Sequence, residues 1–115
     1  MANTFKVVTK AGVTSADVIY TVAGSTTTII LGLILGNTTS SAITSTVTLG
    51  TDTTSRAGNN DEANQAVELL TSGAIPANSS LELLTGNKVV METTDTLSVT
   101  GSAAIDVVLS ILEIT

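Results

Sequence analysis

The twelve residues from Thr26 to Asn37, Thr-Thr-Thr-Ile-Ile-Leu-Gly-Leu-Ile-Leu-Gly-Asn, form the most apolar run of the chain and restrict its fold more than any other stretch. Its apolar centre, Ile29 to Leu35, is far shorter than the roughly 20 residues of a membrane-spanning helix and has a glycine in its middle. That leaves a buried strand. Strict alternation puts Ile29, Leu31, Leu33 and Leu35 on one face and Ile30, Gly32, Ile34 and Gly36 on the other, so both faces need cover. Such a strand belongs at the centre of a sheet, against a second layer or a second subunit.

The flanking sequence supplies the rest of a β-sheet protein. Phe5 to Lys10 predicts a short first strand at a sheet edge, where Lys6 and Lys10 discourage pairing with another chain. Asp17 to Val22 predicts the next, with Val18, Tyr20 and Val22 on one face and a turn at Ala23-Gly24-Ser25. After the central strand, Ile43, Ser45, Val47 and Leu49 alternate with Thr44, Thr46 and Thr48, the period-two pattern of a strand with one face in the core. Further strands are predicted at Val67 to Ser72, Ser80 to Leu84, Lys88 to Glu92, Thr96 to Thr100 and Ala104 to Ile114. Turns at Ile75-Pro76-Ala77-Asn78, Thr85-Gly86-Asn87, Thr93-Thr94-Asp95 and Gly101-Ser102 separate them. About eight short strands at this spacing predict an all-β protein, an antiparallel β-sandwich of jelly-roll or immunoglobulin-like type. At 115 residues it is a single domain, 1–115.

One segment breaks the pattern. Residues 50–66 have no period and no large apolar side chain, which predicts a long polar loop, beyond the roughly 12 to 15 residues usual for a structureless connection. Asp52, Asn59, Asn60, Asp61, Glu62 and Asn64 gather oxygen atoms there, and Ca²⁺ takes six to eight such ligands. Their order does not follow the EF-hand loop, and Asp and Asn are ordinary loop residues, so no metal site is assigned. Asp95 reads as a turn residue.

Composition narrows the function. The chain has no cysteine and no histidine, which removes disulfides, thiolate metal sites and the commonest general base. A Ser or Thr nucleophile would need a lysine or a carboxylate beside it, and no motif accompanies Lys6, Lys10 or Lys88. The expectation is a protein that is not an enzyme, with no catalytic residues and no cofactor. The net charge is −6, the four basic residues are scattered, and Phe5 and Tyr20 are the only aromatics, so nucleic acid and membrane surfaces are not expected partners. The N-terminus lacks an apolar signal region, which predicts folding in a cytoplasm. The Asn-x-Ser/Thr matches at Asn37 and Asn78 are then chance occurrences. Charged residues make up 12%, about half the usual share, and a weakly charged, Thr-rich surface suits permanent contact with protein.

The last strand bears on that contact. Ile105, Val107, Leu109 and Ile111 form a core face, while Val108, Leu112 and Ile114 make the other face half apolar. Two readings stand: this second face is covered by the protein's own other sheet, or Val108, Leu112 and Ile114 are a subunit contact.

The run Ala74 to Leu84, the strands Asn87 to Glu92 and Asp95 to Thr100, and the ending Ala104 to Ile114 resemble small virion structural proteins of tailed bacteriophages. The start Met-Ala-Asn-Thr-Phe-Lys, the strand Val18 to Val22 and the ending Leu35-Gly36-Asn37-Thr38-Thr39 are similar to the same group. The resemblance implies a β-sandwich assembled on the virion in the host cytoplasm. Its most specific form is a decoration, or cement, protein on the outer head surface, often a homotrimer, whose partners are further copies of itself and the major capsid protein or another virion protein. A neck, collar, tail or baseplate protein of the virion is the alternative within the particle. A carbohydrate-binding module is the alternative outside it, and the scarcity of aromatic side chains argues against that.

Overall fold

The computed structural model describes residues 2–51, 65–84 and 86–115. Nine strands form two antiparallel sheets. They are β1 (Asn3–Val13), β2 (Asp17–Thr21), β3 (Thr27–Asn37), β4 (Ile43–Gly50), β5 (Val67–Ile75), β6 (Ser79–Leu83), β7 (Val89–Met91), β8 (Thr96–Gly101) and β9 (Ile105–Ile114). Sheet A has the order β1-β9-β3-β6, with β7 also on β3, and sheet B has the order β2-β8-β4-β5.

β6 and β7 behave as one interrupted strand. β6 pairs with the Leu33 to Asn37 half of β3 and β7 with the Thr28 to Ile30 half, both antiparallel. The nine described strands match the nine segments expected from the sequence, and the chain folds as a long hairpin whose limbs pair β1 with β9, β2 with β8, β3 with β6 and β7, and β4 with β5. The ribbon is then rolled so that β9 also meets β3 and β8 meets β4. This nesting is the strand order of a jelly roll, which decides between the two sandwich types left open by the sequence.

The central strand is where it was expected, between β9 and the β6/β7 pair, but its faces differ from strict alternation. The register to β9 shifts between Ile30 and Gly32, so Leu31 is an extra residue and the alternation changes phase. Ile30, Leu33 and Leu35 are buried, while Ile29 and Ile34 lie on the outer side. A similar shift between Val18 and Tyr20 in β2 corrects a second assignment. Tyr20 faces inward opposite Leu97 and Val22 is buried, whereas Val18 points outward and is 53% exposed.

The core lies between the sheets. Ile30, Leu33, Leu35, Ile105, Val107, Leu109 and Ile111 from sheet A meet Ile43, Val47, Leu49, Leu97 and Val99 from sheet B, with Ile75 and Met91 also enclosed. Each large apolar side chain fully removed from water contributes about 1.5–3 kcal/mol, so this layer dominates stability. The alternating core faces of β4 and β9 agree with the sequence reading.

Polar side chains at the two ends have specific tasks. Asn37 is buried, and its Nδ2 donates to the carbonyls of Ser41, Ile75 and Pro76 at 2.8, 3.1 and 3.1 Å. Its Oδ1 accepts from the N–H and hydroxyl of Thr39. The side chain thus ties the β3–β4 turn to the β5–β6 turn. Asp95 is buried in the β7–β8 turn, where Oδ2 accepts from the Glu92 N–H at 2.9 Å, as its reading as a turn residue requires. Gly101 is dictated by space: a Cβ there would lie 2.5 Å from the Ala103 carbonyl oxygen and 2.8 Å from that of Val13.

Candidate assembly face

Directly opposed residues of antiparallel strands share a face, so the register lists the outer surface of sheet A row by row. Phe5, Leu112, Ile29 and Val90 form one row across β1, β9, β3 and β7. Val7, Ser110 and Gly32 form the next. Thr9, Val108, Ile34 and Glu82 follow, and Ile114 stands beyond the first row between Asn3 and Thr27. The structure therefore puts Val108, Leu112 and Ile114 on one surface, and adds Phe5, Val7, Ile29, Ile34 and Val90.

Among the described residues nothing covers this surface. Phe5 is 74% exposed, Val7 63%, Val90 51% and Ile34 40%. Of the two readings of β9, cover by the protein's own second sheet is overturned, because sheet B occupies the opposite, inner side. Four strands about 4.8 Å apart and ten residues at about 3.3 Å each make a patch of roughly 450 Å² of flat sheet. Single exposed apolar residues are ordinary on a soluble protein; a sheet face of this size, apolar along most of its rows, is as large as the largest patch of an ordinary monomer, and such patches are often functional. Ser110 and Gly32 leave a shallow trough across its middle, since even a Cβ on Gly32 would meet no atom within 4 Å.

The added residues escaped the sequence for identifiable reasons. Ile29 and Ile34 fall on opposite faces under strict alternation, and only the bulge at Leu31 brings them together. Gly32 in mid-strand is the signal that could have located that bulge. Phe5 and Val7 belong to the patch through pairing with β9, which lies at the far end of the sequence.

Behind this face, on the inner side of sheet A, a charged network joins the two sheets. Lys6 Nζ lies 2.7 Å from Glu113 Oε1, and the Tyr20 hydroxyl donates to Glu113 Oε2 at 2.6 Å. The same hydroxyl lies 2.7 Å from Thr28 Oγ1, which links β2 of sheet B to β3 and β9 of sheet A. Hydrogen bonding to Lys6, then to Tyr20, holds the Glu113 carboxyl below its ordinary pKa. Burial first, and the bond to Glu113 second, push the Tyr20 hydroxyl up to about 12. Lys10 lies 3.7 Å from Asp17, so both lysines assigned to guard the β1 edge have acidic neighbours.

No catalytic constellation appears among the described residues. No group of three or more Asp or Glu side chains there could hold a metal ion. Asp52, Asn59, Asn60, Asp61, Glu62 and Asn64 lie outside the described residues. The site is a broad apolar sheet face, suited to protein contact, with a shallow depression at Gly32, Ile34 and Glu82.

No protein-family model and no curated protein matches the chain. A solved structure from work on Bacillus endospore appendages, described as a family of disulfide-linked pili, aligns with 97% of this chain and 84% of that chain, with a TM-score of 0.48 at 15% identity.

Proposed function

We propose that this chain is a structural subunit of an assembled particle, and specifically a virion decoration protein that docks the outer face of sheet A on the head surface of a tailed bacteriophage. The observation that carries the proposal is the open apolar face centred on the row Phe5, Leu112, Ile29 and Val90. The resemblance of the sequence to small phage virion proteins supplies the particle. A jelly roll hosts many functions, so the fold alone does not select one.

The mechanism is mass action. A subunit that binds only the mature shell stabilises it by its own binding free energy, and one that bridges neighbouring capsomers gains further through effective concentration. Removing apolar area from water drives the contact. Low charge reduces the desolvation cost of pressing a broad sheet onto another protein.

The test is cryo-electron microscopy of native particles together with binding of the purified chain to heads stripped of it. Density for this sandwich at regular lattice positions is expected, with sheet A against the shell. Leu112→Lys is expected to lower head binding at least tenfold, about 1.4 kcal/mol, while leaving the fold intact. Density confined to the neck or tail would move the protein within the particle, and heads that bind Leu112→Lys as well as the parent would end the docking role of this face.

A further inference from the structure

The four sheet edges are built differently. β2 has five residues and a bulge, β5 carries register shifts with Ser72 at φ 46°, and the far edge of sheet A is broken between β6 and β7. Short strands, bulges and interruptions are the devices that blunt an edge against added strands. β1 has none of them from Asn3 to Lys10, where its register to β9 runs without a shift, and the two lysines that would guard this edge, Lys6 and Lys10, are drawn onto Glu113 and Asp17.

The backbone of β1 also shows which groups are open. Ala2 and Thr115 exchange both N–H···O bonds, at 3.1 and 2.9 Å. Hydrogen-bonded and non-bonded pairs alternate along an antiparallel ladder, so Thr4, Lys6, Val8 and Lys10 bond to β9 in turn. Asn3, Phe5, Val7 and Thr9 therefore aim their N–H and C=O groups away from β9. Among the described residues no strand pairs with that side.

We infer that β1 pairs antiparallel with β1 of a second copy of this chain, about a two-fold axis at Val7, joining two copies of sheet A into one continuous sheet. Charge selects the register. With Val7 opposite Val7, Phe5 faces Thr9 of the second copy, Lys6 faces Val8 and Lys10 faces Thr4. A slip of two residues one way puts Lys6 opposite Lys6, and the other way puts Lys6 opposite Lys10. Like charges directly opposite are unfavourable. A slip of one sets an outer face against an inner one.

In the selected register the pairs Phe5–Thr9, Val7–Val7 and Thr9–Phe5 each exchange two bonds, about six in all. The two apolar faces also become one surface twice as wide. This pairing stands apart from the virion reading, and it makes a dimer where the phage resemblance implies a trimer.

Sedimentation equilibrium over a concentration series is expected to give twice the 11.6 kDa chain mass. Val7→Pro is expected to halve it without unfolding the chain, because the Val7 N–H is outside the β9 ladder. The absence of cysteine permits a covalent test. Opposed hydrogen-bonded residues have Cα atoms about 5.5 Å apart, within the roughly 4.4–6.8 Å that a disulfide spans. Oxidised Val7→Cys is expected to run as a covalent dimer. Phe5→Cys alone is not, while Phe5→Cys mixed with Thr9→Cys is. A parent that stays monomeric, a trimer whose mass Val7→Pro leaves unchanged, or a Val7→Cys chain that does not cross-link would overturn the pairing.

Discussion

The outer faces of the two sheets have the same architecture and opposite chemistry. On sheet B, register places Thr46 and Thr48 of β4 opposite Thr100 and Ser98 of β8, with Thr44 beyond them, Thr96 of β8 opposite Gly50 and Thr21, and Glu68 of β5 opposite Thr48. Among the described residues of sheet B, the large apolar residues exposed are Val18 and, at the end of edge strand β5, Val67. On sheet A the equivalent positions are Phe5, Val7, Ile29, Ile34, Val90, Val108, Leu112 and Ile114. Both sheets have an inner layer to bury, so the fold needs apolar residues on one side of each. Only sheet A carries rows of them on the second side, and that difference is what the assembly proposal rests on; the threonine face has the composition expected against water.

The largest effect is expected where inner and outer residues adjoin on β3. Leu35 is fully buried and Ile34 is 40% exposed. Leu35→Ala is expected to cost about 2–5 kcal/mol in denaturant unfolding, and Ile34→Ala less than about 1 kcal/mol. Equal costs would break the comparison, because they would mean that the outer face is packed like a core within a single chain.

That pair of neighbours also shows how much of the fold was legible. β4 and β9 were readable because each alternates without interruption, with threonines marking the second face of β4 and Asp106 and Ser110 interrupting that of β9. β3 was readable as a strand and as central, but its faces were not, because a run apolar at nearly every position contains no phase information. The bulge at Leu31 sets the phase, and β9 and the β6/β7 pair hold it there from distant parts of the sequence. The candidate contact was legible in part for the same reason. Val108, Leu112 and Ile114 follow from alternation along β9 alone, whereas Phe5, Ile29 and Val90 join Leu112 only through pairing across three other strands.

An intermediate effect is expected at the Lys6–Glu113–Tyr20 network, which links the two sheets. The Glu113 pKa is lowered on folding, so its contribution is present above the ordinary carboxylate range and is lost as pH falls through the native value. The Tyr20 pKa is raised from 10.0 to about 12, so its contribution is constant below pH 10 and is lost as pH rises between those values. Tyr20→Phe is expected to cost about 1–2 kcal/mol near neutral pH, the scale of a hydrogen bond to a charged group. It should also remove the alkaline loss and shrink the acid one without abolishing it, since Lys6 remains the larger cause at Glu113. Unfolding curves from pH 2 to 12 check both limbs. An alkaline limb that persists in Tyr20→Phe would place the titrating group elsewhere.

The smallest effect on the isolated chain is expected from exchanging the chemistry of the two outer faces. Leu112→Thr removes the centre of the apolar row, and Thr46→Val adds an apolar residue to the threonine face. Leu112 is already half-buried among its row neighbours, so its replacement should cost up to about 1 kcal/mol; Thr46→Val, at a position with strong strand propensity either way, should stay within about 0.5 kcal/mol. Surface behaviour should separate them more sharply than stability does. Retention on a hydrophobic column and fluorescence of an apolar dye are expected to fall for Leu112→Thr and to change little for Thr46→Val, because one valine among Thr44, Thr48, Ser98 and Thr100 remains an isolated apolar residue. If Leu112→Thr left both readouts unchanged, contiguity would not be what distinguishes the faces, and the apolar rows of sheet A would have to be regarded as scattered residues that neighbouring side chains already shield.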